Sequence, residues 1–250
     1  TPATAPKSSV WSRLSTGRPS GARASKPELV IAASVDQVLA ALAAGDATIV
    51  SGGMSHALRR ERTGYPYAKR LIAVGRIAEL NALALDARGT LRAGAAVRLQ
   101  ALFDEPRVTC GWQALADALL AVGHTRIRHG ITVGGSIGPL IGGYDLPVAL
   151  LALDARVTLA GPKARRMSTL RELFDQRLAK DEMVTGIEVD ALPPRSGSCF
   201  YKYMPRHVLE IPTVNTSALV TLDGGGHCLN ARVAVGSVSW KPIVLDLAHL

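Results

Sequence analysis

Cysteine is scarce in this sequence. Cys110, Cys199 and Cys228 are the only three in 250 residues, and no two of them stand at CxxC or CxxxxC spacing. Without such pairs the chain cannot by itself frame a zinc ribbon, a thiolate-held iron–sulfur cluster or a disulfide scaffold, and a reducing compartment is the simplest expectation. Aromatic residues amount to 4% and are not interleaved with the arginines, so a base-stacking surface has no support and nucleic acid is not expected as a partner. No apolar run approaches the roughly 20 residues that a bilayer crossing needs, and a soluble protein without a membrane span is expected. Familiar site motifs are missing too. There is no GxGxxG after a strand, no GxxxxGKS/T, and no HExxH or HxH. A Rossmann crevice, a P-loop and a histidine metal site therefore lack their residues.

What is abundant is positive charge, +9 overall with a pI near 9.9. It is unevenly placed. Residues 1–28 carry Lys7, Arg13, Arg18, Arg23 and Lys26 against one acid, Glu28, and are otherwise rich in Ser, Ala, Pro and Gly. Such a stretch cannot bury a core and is expected to be a disordered basic tail, either plain or the remnant of an organelle transit segment. Arg59, Arg60 and Arg62 make a second cluster, in a loop. Solvated charge or an acidic protein neighbour accounts for the excess.

Hydrophobic residues make up 48%, enough for a sizeable core. Ser34 with Gln37 three residues on forms a capping box that opens a helix over VDQVLAALAAG, closed by Gly45. A β-branched strand, residues 47–50, then breaks into Ser51-Gly52-Gly53-Met54-Ser55-His56. A basic loop with Tyr65-Pro66, a strand at 70–74, a helical turn at IAELNAL and a hairpin over 83–97 turning at Arg88-Gly89 come next. One helical turn at 99–103 and an amphipathic helix at 112–122 lead toward the glycine-rich stretch 132–154. Beyond it the pattern predicts a strand at 155–160, a turn at Gly161-Pro162, a short helix at 169–174 and a strand at 183–189. A Pro/Ser/Gly linker over 192–198 precedes three strands at 199–204, 216–222 and 231–238. The whole reads as α+β, a helical and parallel-strand portion followed by an antiparallel one.

The stretch TVGGSIGPLIGGYDLPVALLALD has glycine at 134, 135, 138, 142 and 143, one acid at Asp145 just beyond them, and an apolar run behind it. It serves equally as a turn between core elements or as a ligand loop, and Asp145 either accepts a bond from a ligand hydroxyl or caps the helix that follows. A second glycine turn, Gly52-Gly53, decides the balance. Each turn follows an apolar run and carries small hydroxyl residues, Ser51 and Ser55 in one, Thr132 and Ser136 in the other. Two such turns facing each other could cradle a diphosphate with amides and hydroxyls alone, which is how a dinucleotide cofactor is gripped at its middle.

The ordered set SVDQVLAAL, IVSGGMS, GRIAEL, LRAGAAVRLQAL, HTRIRHGITVGGSI, DLPVALLALDARVTLAGP and FYKYMPRHVLEIPTVNTSALVTLDGG resembles the FAD-binding subunit of the molybdenum hydroxylases, the family of xanthine dehydrogenase and carbon monoxide dehydrogenase medium subunits. The resemblance implies the FAD-binding PCMH-type fold, with α/β subdomains at 29–82 and 83–192 and a partial C-terminal antiparallel domain at 198–250 that stops short of the family's usual end. It implies FAD held by Ile49, Val50, Ser51, Gly52, Gly53, Met54, Ser55 and His56 in the first loop. Thr132, Gly134, Gly135 and Ser136 would form the second. Asp145 and Leu146 would lie at the ribityl or diphosphate region, and Lys202 near the ring, with Arg206 close behind it. It also implies an iron–sulfur subunit and a molybdopterin subunit as partners, NAD⁺ or another acceptor for the electrons, and the bacterial cytoplasm or mitochondrial matrix as the setting. Departures from the family pattern define the competing expectation. Ser136 stands where the family has Asn, Leu58 stands where it has Pro, and the residues after Ser136 offer few donors. A flavin-less structural subunit of a larger assembly would keep this fold and lose the cofactor.

Overall fold

The structure is a computed structural model that describes residues 26–57, 68–205 and 211–247. Residues 1–25 of the expected tail, the Arg59–Arg62 cluster, Tyr65-Pro66, Leu58 and Arg206 lie outside those residues, and the last residue of that expected tail, Glu28, already opens a strand. Three sheets organise the chain. The first is parallel, in the order β1-β3-β2, from β1 (Glu28–Ile31), β2 (Ala47–Val50) and β3 (Arg70–Ala73). Helix α1 (Val35–Ala43) crosses between β1 and β2, burying Val35 and Val38. Its N-cap is Ser34, whose hydroxyl accepts from Gln37 N–H at 3.2 Å, while the Gln37 side chain accepts from Ala33 N–H at 2.8 Å, one residue upstream of a standard capping box. Gly45 ends the helix at φ +78, a conformation that favours glycine.

The second sheet is antiparallel throughout, β4-β5-β8-β6-β7, built from β4 (Leu83–Leu85), β5 (Leu91–Gly94), β6 (Arg156–Ala160), β7 (Arg165–Thr169) and β8 (Met183–Val189). This corrects the expectation of a first portion with parallel strands, since only the three-stranded sheet is parallel. A 3₁₀ turn (Ala78–Asn81) precedes β4. Between β5 and β6 the chain makes six helices: α2 (Leu99–Phe103), α3 (Pro106–Gly111), α4 (Gln113–Ala121), α5 (Thr125–Gly130), α6 (Val133–Ile137) and α7 (Asp145–Ala152). Helix α8 (Leu170–Gln176) follows β7 under a complete capping box, Thr169 with Glu172.

Every residue of α7 is buried. A helix apolar on all sides belongs in the middle of a protein, and α7 packs there against α4 and against two later strands, β10 (Val214–Leu222) and β11 (Cys228–Gly236). Those strands belong to the third sheet, β12-β11-β10-β9, formed by β9 (Ser196–Tyr203), β10 (Val214–Leu222), β11 (Cys228–Gly236) and β12 (Ile243–Asp246). The linker is shorter than expected, because Ser196, Gly197 and Ser198 already pair with Thr221, Val220 and Leu219. Elements α3, α5, β7 and β12 have no counterpart in the sequence expectation. Proline and glycine bound α3, and β7 alternates little because it is a charged edge strand, Arg165 and Arg166 exposed. Among the described residues no helix is long and apolar enough to cross a membrane.

Candidate cofactor site

The first glycine turn is where β2 leaves the parallel sheet. Gly53 sits at φ +77, and Ala57 N–H returns to Gly53 O at 3.0 Å as a helical turn opens at Met54. Gly52 is required by contact. A β-carbon there would lie 1.8 Å from Gly130 O, which as backbone cannot swing aside. His56 donates Nε2–H to Ile49 O at 2.9 Å, and a carbonyl partner fixes that tautomer.

The second glycine segment is the short helix α6. Thr132 is its N-cap, accepting from Gly135 N–H at 3.1 Å. The stretch ahead of it is bridged to the residues behind β5: Leu99 N–H donates to Ile131 O at 3.1 Å, Val133 N–H to Val97 O at 3.0 Å, and Gly134 N–H to Ala95 O at 2.8 Å. A β-carbon on Gly134 would meet that of Ala95 at 2.7 Å. Ser136 N–H donates to Thr132 O at 3.0 Å. The amides of Val133, Gly134, Gly135 and Ser136 are thus all committed inside the fold. The expectation that both turns offer amides to a phosphate is corrected here for the second, which supplies shape and the Thr132 hydroxyl.

The two turns do face each other across one cavity of about 450 Å³, within the range of small-molecule sites. Ile49, Ser51, Gly52, Gly53, Met54, Ser55 and His56 line one side, and Thr132, Gly134 and Gly135 the other. Ser55 Oγ lies 3.3 Å from Tyr144 Oη, joining the first turn to the chain beyond the second. Ser51 Oγ is buried in this wall with no hydrogen-bond partner among the described residues. A buried hydroxyl left unpaired costs on the order of 1–3 kcal/mol, and a ligand acceptor in the cavity would remove that cost. Glycines too closely approached for any side chain, an orphaned hydroxyl and adequate volume together fit a dinucleotide cofactor.

The cavity has a third wall that the sequence did not disclose, Leu178 to Lys180 and Glu182 to Val184. Its residues reach the site only because β8 inserts between β5 and β6. Arg166 donates Nε–H and Nη2–H to the two oxygens of Glu182 at 2.9 and 3.0 Å, and this guanidinium holds the carboxyl below its usual range.

Five expected site residues do not line the cavity. Val50 completes β2 opposite Ala73, and Ser136 turns inward to donate to Thr132 O at 3.0 Å. Leu146 is core, 1% exposed. Asp145 and Lys202 have found each other, Nζ to Oδ2 at 2.7 Å, with side chains 7% and 6% exposed. Asn215 donates to the other carboxylate oxygen at 2.9 Å, and Lys202 also donates to Ala121 O at 3.1 Å. Burial pushes the Asp145 carboxyl above its usual range, and Lys202 acts against that rise. These contacts tie α7 to the third sheet. Asp145, expected at the ribityl region, and Lys202, expected near the ring, are thus placed in an ion pair beside the cavity lining and not in it.

Fold and cavity together define a flavin-domain class. The family described as "FAD binding domain in molybdopterin dehydrogenase" matches residues 24–191, and the chain belongs to that family. It is 32% identical over 215 residues to the 6-hydroxypseudooxynicotine dehydrogenase complex subunit alpha of Paenarthrobacter nicotinovorans, covering 83% of this chain and 71% of that one. The carbon monoxide dehydrogenase medium chain of Hydrogenophaga pseudoflava is 26% identical, covering 78% and 68%. Among solved structures, carbon monoxide dehydrogenase from H. pseudoflava superposes with a TM-score of 0.81 at 24% identity over 88% of this chain and 77% of that one. Quinoline 2-oxidoreductase from Pseudomonas putida 86 does so with a TM-score of 0.78, also at 24% identity, over 89% and 78%. At that identity the superpositions establish the fold.

Proposed function

We propose that this chain is the FAD-binding electron-transfer subunit of a molybdenum hydroxylase-type dehydrogenase, holding the cofactor in the cavity between the two glycine segments. The observation that carries the reading is the convergence of both segments on one cavity, with a Ser51 hydroxyl in its wall that has no partner among the described residues. Family membership and the names of the relatives support it. When bound, the isoalloxazine supplies the two-electron and one-electron chemistry. The chain's own residues bind and orient. The first turn and the Ser51 hydroxyl donate to the diphosphate, Thr132 and the glycines of α6 permit close approach, and the third wall, with Met183 and Val184, excludes water from the opposite side. Electrons would arrive from iron–sulfur centres on a partner chain and leave to NAD⁺ or another acceptor. The segmentation at 29–82, 83–192 and 198–250 goes with this reading, the first two parts closing on the cofactor.

The test is an absorption spectrum of the purified chain with and without added FAD. Flavin bands that co-elute with the protein at one per chain are the expected result. A colourless protein that takes up no FAD refutes the reading and leaves the flavin-less structural subunit, a reading favoured by the committed amides of α6.

A further inference from the structure

The cofactor's diphosphate carries two negative charges, and the cavity wall offers little to balance them. Glu182 is neutralised by Arg166, His56 spends its Nε2–H on Ile49 O, and Lys180 is exposed at the rim. A stronger cation stands just behind the wall. Arg98 is partly buried, and its Nη1 donates to Gly130 O at 3.0 Å. The same Nη1 lies 3.0 Å from where a β-carbon on Gly52 would be, so the guanidinium occupies the space beside the first glycine turn. Its backbone, meanwhile, is bridged to Thr132 at the start of the second segment. Among the described residues Arg98 has no hydrogen bond or ion pair to a carboxylate; its one side-chain acceptor is the Gly130 carbonyl. One residue thus stands beside the first turn and is bonded to the chain leading into the second, and the partner of its charge among the described residues is neutral.

We propose that Arg98 is the positioning residue of this site: it braces the Gly52 turn against Gly130 and supplies the positive field that the cofactor's diphosphate requires at that corner. The inference rests on the FAD reading above. The reasons are electrostatic and steric. A partly buried guanidinium that meets no carboxylate among the described residues is under-compensated by them, and an anion held by the neighbouring turn relieves it. Ser51, adjacent to Gly52, holds the orphaned hydroxyl in the same corner. A preformed cation and a preformed donor beside a turn that no side chain can enter make an anion site rather than a packing junction.

The experiment compares FAD affinity, its salt dependence and thermal stability in the purified wild-type chain, Arg98→Lys and Arg98→Gln. Arg98→Gln keeps a donor for Gly130 O and removes the charge, and should weaken FAD binding by about tenfold or more, the scale of a charge-assisted contact. Arg98→Lys should stay within about threefold of wild type, and the salt dependence should be shallower in the Gln variant alone. A purely structural role predicts equal losses for Lys and Gln, tracking a loss of melting temperature, with an unchanged salt slope; that result overturns the proposal. So does a folded Gln variant that binds FAD as wild type does. If Arg98→Gln fails to fold, the Lys variant decides, and a loss beyond about tenfold there is equally fatal. A wild-type chain that binds no FAD would instead sink the functional reading beneath it.

Discussion

Lys202→Met is the most discriminating single change available in this protein. In the structure the Lys202 ammonium touches Asp145 Oδ2 at 2.7 Å and Ala121 O at 3.1 Å with 6% of its side chain exposed, so solvent screens almost none of the interaction. Methionine fills a similar volume but leaves the Asp145 carboxylate buried, with only the Asn215 amide at 2.9 Å as donor. Removing one member of a buried pair typically costs about 3–5 kcal/mol, because an uncompensated charge remains. The cost must depend on pH. Burial already places the Asp145 carboxyl above its unfolded value of 3.8, and losing the cation raises it further. A folded-state pKa above the unfolded one means that the folded chain holds the proton more tightly. The variant's deficit is therefore complete above that raised pKa and shrinks as pH falls below it toward the unfolded value. Urea denaturation of wild type, Lys202→Met and the double variant Asp145→Asn/Lys202→Met at neutral and mildly acidic pH measures all three terms. The double variant, which keeps an acceptor for Asn215 and buries no charge, should recover much of the loss. A deficit below about 1 kcal/mol for Lys202→Met, or a double variant no better than the single one, would refute the claim that this pair is a buried and mutually dependent strut.

Three further outcomes follow from the same geometry. Gly52→Ala places a β-carbon 1.8 Å from Gly130 O; the turn must move, and FAD uptake should be lost, with stability lowered by about 1–3 kcal/mol. Full FAD occupancy in that variant would show that the turn does not hold the cofactor. Ser51→Ala removes a buried hydroxyl that has no partner among the described residues, so without FAD it should leave stability unchanged or raised while weakening FAD binding by roughly 1–2 kcal/mol, and titration calorimetry beside a thermal melt separates the two effects. Acid should destabilise the fold in a defined window. Asp190 and Asp246, held low by hydrogen bonds from Arg156 and Arg232, and Glu182, held low by Arg166, all have folded values below their ordinary 3.8 and 4.5. The stability they contribute is complete above those values and is lost as pH falls below them. A melting temperature flat from pH 5 to about pH 2 would contradict that direction.

Local order was legible in the sequence wherever one segment sufficed to specify it. The Ser34 cap, the hairpin at Arg88-Gly89, the Gly45 stop and the strand-to-glycine break at Val50 are short-range devices, and each stands where its residues say it should. The resemblance to a flavin family was likewise carried by an ordered string of such segments. The direction of the second sheet was not legible, because it depends on β8 entering between β5 and β6 from about ninety residues away. Nor was the fate of Asp145. An acid after glycines reads equally as a ligand contact or a cap, and only the arrival of Lys202 and Asn215 from a later sheet makes it half of an ion pair. The same holds for the glycine segment 133–136, where the amides of Val133 and Gly134 look available until Val97 and Ala95 take them. The sequence by itself determined the turns, the caps and the apolar helix that everything packs on, since those rest on backbone sterics and periodicity. Tertiary structure alone decided which donors stay free and which charges stand unbalanced, since both are properties of the neighbours that distant strands bring.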